Sequence, residues 1–412
     1  MEFPMGNPIK TKRILLGITG SIACYKAADL ASKLSQMGAL VDAILTQSAL
    51  QFITPLTLQS VTGRRVFTDS DLWDREGHVV HIGLAHNADL LVIAPATANT
   101  LAKIALGIAD NLLSVAALAA PCPMLVAPAM DGGMFTHPAT QANLEILRQR
   151  GAIIVGPAEG HLASGQLGVG RMVEPVDLLG HIRLALARGG LLQGRKIVVT
   201  AGGNQEPVDP VRVLSNRSSG KQGFALAQAA LDLGAKVDLI AGPVCLETPV
   251  GARRMNVLTA EEMLSAVQES TPQADALIMA AAVADFKPAR SASEKFKREA
   301  GPPRLELIPT PDILAAVADR KAKTGYPKVT VGFAAESQKV IESAGAKMRS
   351  KRVDIMVAND ITALDAGFGA DTNRVTLLDS RGEVESLPLM SKYEVAEAVL
   401  ERVLAVLREQ GQ

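Results

Sequence analysis

Two stretches of the chain open with the same pattern, a short apolar run that meets a glycine-bearing loop. Arg13-Ile14-Leu15-Leu16-Gly17 leads into Thr19-Gly20-Ser21, and Lys196-Ile197-Val198-Val199-Thr200 leads into Ala201-Gly202-Gly203. Each reads as a first β-strand entering a tight turn. An Ala-rich helical stretch follows each loop. A second strand comes next, Ala39 to Leu45 in one case and Ala235 to Ala241 in the other, introduced by Met37-Gly38 and Leu233-Gly234. Leu90 to Ala94 and Met124 to Ala127 add further strands to the first unit. The pattern predicts two doubly wound units in series. Between them, Ala187 to Gly194 carries three glycines in eight residues, which places the boundary there. The expected organisation is a leader over 1–12, a first domain over 13–188, a linker over 189–194 and a second domain over 195–412, with the leader disordered.

Composition sharpens the class. Aromatic residues make up only 3%, while Ala, Leu, Val, Ile and Gly abound, which suits mainly parallel strands buried on both faces under Ala-rich helices. The fold class is therefore α/β, with two doubly wound units built on mainly parallel sheets. Lys plus Arg equals Asp plus Glu at 42 each, so no net field draws the chain to nucleic acid or an anionic membrane. Cys24, Cys122 and Cys245 lie far apart without a C-x-x-C spacing, which argues against a disulfide framework or a zinc knuckle and fits a reducing cytoplasm. The N-terminus shows neither a signal h-region nor a membrane span.

Chemistry-bearing side chains are unevenly shared. All six histidines (78, 81, 86, 137, 161 and 181) fall in the first half, which makes it the better place for proton transfer near neutral pH. The second half instead gathers cations: Lys287, Arg290, Lys295, Lys297 and Arg298, then Lys347, Arg349, Lys351 and Arg352. In the first half three loops end consecutive strands: Gly17 to Ala23, Pro95 to Thr100 and Pro128 to Met134. Open α/β sheets bind ligands at such strand ends, and backbone N–H groups with a Ser hydroxyl at a helix start suit a phosphate. Neither first strand is followed by G-x-G-x-x-G, which counts against a nicotinamide-dependent oxidoreductase.

These motifs, together with His81-Ile82-x-Leu84-Ala85, occur in the order found in the homo-oligomeric flavin-containing cysteine decarboxylases. The first half resembles the phosphopantothenoylcysteine decarboxylase branch of that family. The second half resembles the phosphopantothenate-cysteine ligases through Glu206-Pro207-Val208-Asp209-Pro210-Val211-Arg212, Asn216-Arg217-Ser218-Ser219-Gly220-Lys221, Ala281-Ala282-Val283-Ala284-Asp285 and Gly332-Phe333-Ala334-Ala335-Glu336. Together the resemblance spans residues 13 to about 400.

The resemblance implies two Rossmann-like domains, the first flavodoxin-like, with FMN in the first half, where the cofactor carries the redox chemistry of decarboxylation and the protein holds it and manages protons. It makes His81 the base, with His78 a rival, and puts Gly20, Ser21, Thr97 and Asn99 around the flavin. Two residues depart from the family pattern: Asp131 stands where Asn is usual, and Ser164 where a flap Cys is usual. The two changes are expected to be coupled, a carboxyl beside the substrate carboxylate being raised in pKa until Asp131 donates the proton a thiol would have supplied. The bland alternative is a ligase whose first half is a catalytically impaired flavin-binding scaffold.

For the second half the resemblance implies activation of a carboxylate by CTP or ATP with Mg2+, through an acyl-nucleotidyl intermediate and pyrophosphate release. Asn216 is the expected partner of that intermediate. Ala281, Asp285, Lys295, Pro311, Asp312, Ile313, Leu314, Phe333, Lys347 and Lys351 are the expected nucleotide contacts. No His, Cys or carboxylate cluster spells a protein cage for the metal. Asn204 replaces a frequent Thr of the family's glycine loop, a change read as minor. The segment from Phe368 to Leu378 resembles the part that helps ligase domains dimerise, while the flavin domains of the resembled enzymes form trimers that complete one another's sites. A homo-oligomer, up to a dodecamer, is expected, with 4'-phosphopantothenate and cysteine as small-molecule partners.

Overall fold

The computed structural model describes residues 6–73, 79–297, 301, 303–336, 340–360 and 369–410. His78, Arg298 and Phe368 lie outside the described residues. The described residues form two compact units, one within residues 7–186, the other within 187–410 together with Gly6.

In the first unit the sequence runs β1 (Arg13–Ile18), α1 (Cys24–Gln36), β2 (Leu40–Leu45), α2 (Pro55–Thr62), β3 (Val66–Thr68) and α3 (Val80–Asn87). It continues through β4 (Leu90–Ala96), α4 (Ala98–Leu106), α5 (Leu112–Ala119), β5 (Met124–Pro128), α6 (Gly132–Thr136), α7 (Pro138–Gln149) and β6 (Ile153–Ile154). A hairpin of β7 (Ala158–His161) and β8 (Leu167–Arg171) precedes α8 (Pro175–Leu186). The main sheet has the order β3-β2-β1-β4-β5-β6, all parallel. Without the short edge strand β3 this is the flavodoxin order; with it, the Rossmann order. Successive side chains of a strand point to opposite faces. Ile14, Leu16 and Ile18 of β1 pack with Leu30, Leu34 and Ile182 on one side, and Leu15 packs with Leu101, Leu113 and Val126 on the other. Burial on both faces is why these strands read as continuous apolar runs.

The leader expectation fails from residue 7 onward. Ile9 is fully buried in the core of this unit, Lys10 N–H closes a turn on Asn7 O (3.1 Å), and Thr11 N–H reaches Gly38 O (2.9 Å). Residues 1–5 lie outside the described residues.

The second unit runs β9 (Lys196–Ala201), β10 (Gln205–Pro207), β11 (Val213–Ser215), α9 (Lys221–Asp232), β12 (Lys236–Ala241), β13 (Arg253–Asn256), α10 (Ala260–Ser270) and β14 (Ala276–Met279). After β15 (Phe286–Pro288) and β16 (Leu307–Pro309) come α11 (Ile313–Thr324), β17 (Val329–Glu336), α12 (Val340–Lys351) and β18 (Ile355–Asp360). It ends with β19 (Thr372–Asn373), β20 (Val375–Asp379), β21 (Val384–Ser386), β22 (Met390–Ser391) and α13 (Lys392–Gln410). Its sheet has the order β13-β12-β9-β14-β17-β18-β20-β21. The six strands from β13 to β18 are parallel, and β20 and β21 add an antiparallel edge. The stretch expected as a linker is packed into this unit: Leu192 is buried and its N–H reaches Leu233 O (2.8 Å).

Candidate active sites

Strand order reverses between β1 and β4, so the loops leaving them diverge and open a crevice at the carboxyl end of the sheet. Thr19, fully buried, stitches its floor: Oγ1 donates to Pro95 O (2.7 Å) and accepts Thr97 N–H (3.0 Å). Above it lies a cleft of about 660 Å³ whose wall includes Gly20, Ser21, Thr97, Met130, Asp131 and Ser164. A Cβ on Gly20 would lie 2.4 Å from Ser48 Cβ, so only glycine lets this loop approach the turn after β2. Ser21 Oγ accepts Ala23 N–H (3.3 Å) before α1, and Thr97 Oγ1 caps α4 by accepting Thr100 N–H (3.4 Å). Two helix starts and two hydroxyls thus face one cleft, with Tyr25, Phe52 and Met134 supplying apolar wall. The donors fit a phosphate and the apolar wall fits a planar ring, so the residues present suit a flavin mononucleotide. Asn99 stands exposed on the first turn of α4 and is not in the cleft wall.

The β7–β8 hairpin lies over this cleft. Gly170 has no room for a side chain, since a Cβ would meet Met130 O at 2.2 Å, and its carbonyl accepts Met130 N–H (3.0 Å). At the hairpin tip Ser164 Oγ donates to Asp131 Oδ2 (2.7 Å), while Asp131 Oδ1 caps α6 by accepting Gly133 N–H (3.0 Å). The two residues that depart from the family pattern are therefore bonded to each other. The rise expected for Asp131 beside a substrate carboxylate is not what its own surroundings produce. The Ser164 hydroxyl and then the Gly133 N–H hold the carboxyl below its ordinary range, because both bonds favour the charged form.

Sequence reading missed Lys26. It is buried at the cleft, donating from Nζ to Met172 O (2.7 Å) and to Glu174 Oε1 (2.9 Å), and so anchors the base of the hairpin. His81 sits on α3 and does not line the cleft of its own unit. Its Nδ1 is buried and has no hydrogen-bond partner among the described residues.

In the second unit a pocket lies at the start of α9, walled by Ser218, Ser219, Lys221, Phe333, Asn359 and Lys392, with Ala281 beside them. Lys221 Nζ donates to Asp371 Oδ1 (2.7 Å) and Gly369 O (2.9 Å). Lys392 Nζ donates to Ala370 O (2.5 Å). Burial, then the charge of Lys221, pushes the Lys392 ammonium below its ordinary pKa. Two ammonium groups beside a helix start favour an anion. Of the expected nucleotide contacts only Ala281 and Phe333 line this pocket. Asp285 is tied to the 310–314 loop, its carbonyl accepting Thr310 N–H (3.0 Å). Ile313 is buried in the core, and Leu314 packs against it partly buried. Lys351 on α12 pairs with Asp312. Burial pushes the Asp312 carboxyl up, but Lys351 and the α11 N–H groups outweigh it and hold it low. Lys295 and Lys347 stand outside the pocket wall. Phe296 N–H, next to Lys295, is held by Asp209 Oδ2 (3.2 Å). Lys392, 171 residues after Lys221, left no local sequence signal; Ser218 to Lys221 did, as a glycine turn opening a helix.

Asn216 is exposed and donates from Nδ2 to Val283 O (3.0 Å). Asn204 proves more than a minor change, being fully buried with both ends of its carboxamide engaged. Among the described residues no group of three or more His, Cys, Asp or Glu could hold a metal, and no helix is long and apolar enough to cross a membrane.

Two doubly wound units, one with a flavin-shaped cleft and one with a cationic pocket, define a flavoprotein fused to an anion-binding Rossmann-like domain. The family models agree in both halves: "Flavoprotein" matches residues 4–186 and "DNA/pantothenate metabolism flavoprotein C-terminal domain" matches 192–407. The coenzyme A biosynthesis bifunctional protein CoaBC of Bacillus subtilis is 42% identical over 407 residues, covering 98% of this chain and 99% of the relative. Its namesake in Vibrio cholerae is 45% identical, covering 94% and 97%, and that of Mycobacterium tuberculosis H37Rv 41%, covering 96% and 97%. The chain belongs to this family of bifunctional coenzyme A biosynthesis proteins.

Proposed function

We propose that the chain catalyses two consecutive steps of coenzyme A biosynthesis, ligation of 4'-phosphopantothenate to cysteine and decarboxylation of the product to 4'-phosphopantetheine. The observation that carries this reading is the pairing of two unlike sites, each at the carboxyl end of its own parallel sheet.

In the ligase half, Lys221, Lys392 and the start of α9 neutralise phosphate charge, with Lys295, Lys347 and Lys351 closing on the triphosphate of CTP or ATP. Mg2+ would accompany the triphosphate and offset its charge. Asn216 presents its carboxamide to the acyl-nucleotidyl intermediate, and cysteine then displaces the nucleotide.

In the decarboxylase half, FMN, when bound, would take two electrons from the cysteinyl thiol group, which lets the carboxylate leave as carbon dioxide, and would return them to the decarboxylated product. Gly20, Ser21 and Thr97 hold its phosphate, and Asn99 is assigned to the same set. His81, absent from the cleft wall of its own unit, serves as base in the cleft of a neighbouring copy. The exposed Trp73, Val79 and Ile82 around it support such a trimer. When the substrate carboxylate enters, like charge raises the Asp131 pKa. Protonated Asp131 then passes its proton through the Ser164 hydroxyl to the substrate and returns to carboxylate. Dimerisation of the ligase units and a cytoplasmic location complete the reading.

The test is a coupled assay with the full chain, 4'-phosphopantothenate, cysteine, Mg2+ and CTP or ATP, followed by mass spectrometry. Formation of 4'-phosphopantetheine is expected. An Asp131→Asn variant is expected to accumulate the oxidised, decarboxylated product. Arrest at the cysteinyl adduct in the wild type refutes the decarboxylase reading, and native-rate formation of reduced product by Asp131→Asn refutes the proton route.

A further inference from the structure

The fully buried Asn204 and the nearly fully buried Glu206 lie in the ligase unit between α10 and the loop that carries Asn216. Glu206 Oε1 accepts Ala260 N–H (2.8 Å), the first residue of the 11-residue helix α10, where the helix dipole favours negative charge. The same oxygen accepts the Asn204 Nδ2 group. A carboxylate only accepts hydrogen bonds. It therefore turns the amide nitrogen of Asn204 toward itself and the amide oxygen away.

That oxygen accepts Ala284 N–H (2.7 Å). The carbonyl of the same peptide unit, Val283 O, accepts Asn216 Nδ2 (3.0 Å). A peptide group is planar and trans, so its N–H and C=O point in opposite directions. Two asparagines thus grip one peptide plane from its two sides. Ser215 Oγ, beside Asn216, adds a bond to Asn204 O (2.6 Å), and Thr310 Oγ1 holds Ala284 O (2.6 Å). With Nδ2 committed to Val283 O, the exposed Asn216 carboxamide has its Oδ1 turned away from that peptide and available to a ligand.

We propose that Glu206 and Asn204 are positioning residues of the ligase, fixing the orientation of the Asn216 carboxamide through the Val283–Ala284 peptide. The inference rests on the reading of Asn216 as the partner of the acyl-nucleotidyl intermediate. Neither residue touches substrate. Their part is to hold one orientation of a group that has two nearly isosteric ones.

The test uses the full-length protein and measures pyrophosphate release dependent on 4'-phosphopantothenate and cysteine, with Tm recorded at each pH. Glu206→Gln keeps the shape but gives a side chain that donates as well as accepts, so Asn204 can turn over. Its kcat is expected to fall on the order of tenfold to a hundredfold, as for a misplaced contact, with the nucleotide KM unchanged. In Asn204→Asp two carboxyl groups touch and share one proton. Protonated, the new carboxylic acid donates to Glu206 and accepts Ala284 N–H as the amide did. Its kcat is therefore expected to climb toward the wild-type value as pH falls, while the wild-type kcat changes less over the same interval. A purely structural role would lower Tm in both variants yet leave kcat of the folded protein at the wild-type value without the added pH slope, and that result overturns the proposal. Asn216→Ala separates the two failures. If it retains wild-type ligation, the reading of Asn216 falls; if it is inactive while Glu206→Gln and Asn204→Asp match the wild type, only the positioning role falls.

Discussion

Close packing at Gly20 is a geometric demand of the flavin cleft, and Gly20→Ala measures it. An ideal Cβ there lies 2.4 Å from Ser48 Cβ, 3.0 Å from Ser48 C and 3.1 Å from Ser48 O. Carbon atoms pack best at about 3.5–4.0 Å, so the closest pair is more than ~1 Å too near. The partner atoms are backbone and Cβ rather than the end of a flexible chain. Ser48 sits at the start of the turn over Ala49–Gln51, and the neighbouring Ala49 is fully buried. Relief must come from moving one loop against the other. Overpacking of this kind costs about 1–3 kcal/mol. If the phosphate loop moves, that strain reappears as lost flavin affinity, a factor of roughly 5 to 150 at about 1.4 kcal/mol per tenfold. The assay is flavin titration of apoprotein by fluorescence, with the flavin-to-protein absorbance ratio of the purified variant beside it. Gly345→Ala is the control: it lies in α12, where an added Cβ meets only the Arg349 guanidinium at 3.6 Å, and it leaves flavin binding unchanged. A Gly20→Ala protein with full flavin, native affinity and unaltered Tm would refute the cradle.

Lys26→Met keeps the buried stem but strands the Met172 carbonyl, a cost of about 1–3 kcal/mol. The bond to the half-exposed Glu174 adds little. Tm of the flavin unit should drop by roughly 4–8 °C for a loss of ~2 kcal/mol, and an unchanged melting curve would show that the hairpin is anchored elsewhere. Burial lowers the pKa of the half-buried His181, against a smaller opposing effect of Asp177. Between its folded pKa and the ordinary value near 6.5 the unfolded chain binds more protons, so stability is full above about pH 6.5 and declines as pH falls. Urea midpoints at successive pH values should show this decline, and His181→Asn should reduce it; equal slopes in both proteins would rule His181 out as its source.

What the sequence by itself determined is local. Apolar runs closed by glycines announced the first strand of each unit because burial on both faces demands continuous apolar character. Gly20, Ser21 and Thr97 were legible because a strand, a turn and a helix start fall within a few residues of one another. Only the tertiary structure decided which distant groups meet. It joined Asp131 to Ser164 across 33 residues, Asn204 to Ala284 across 80 and Lys26 to Met172 across 146. It also turned residues 7–12 of the expected leader into a turn around Ile9 and buried the Ile313 side chain in the core. Hydrophobic periodicity constrains which face of an element is buried, not which loop stands opposite. That choice is made by strand order, and strand order follows from packing the whole sheet at once.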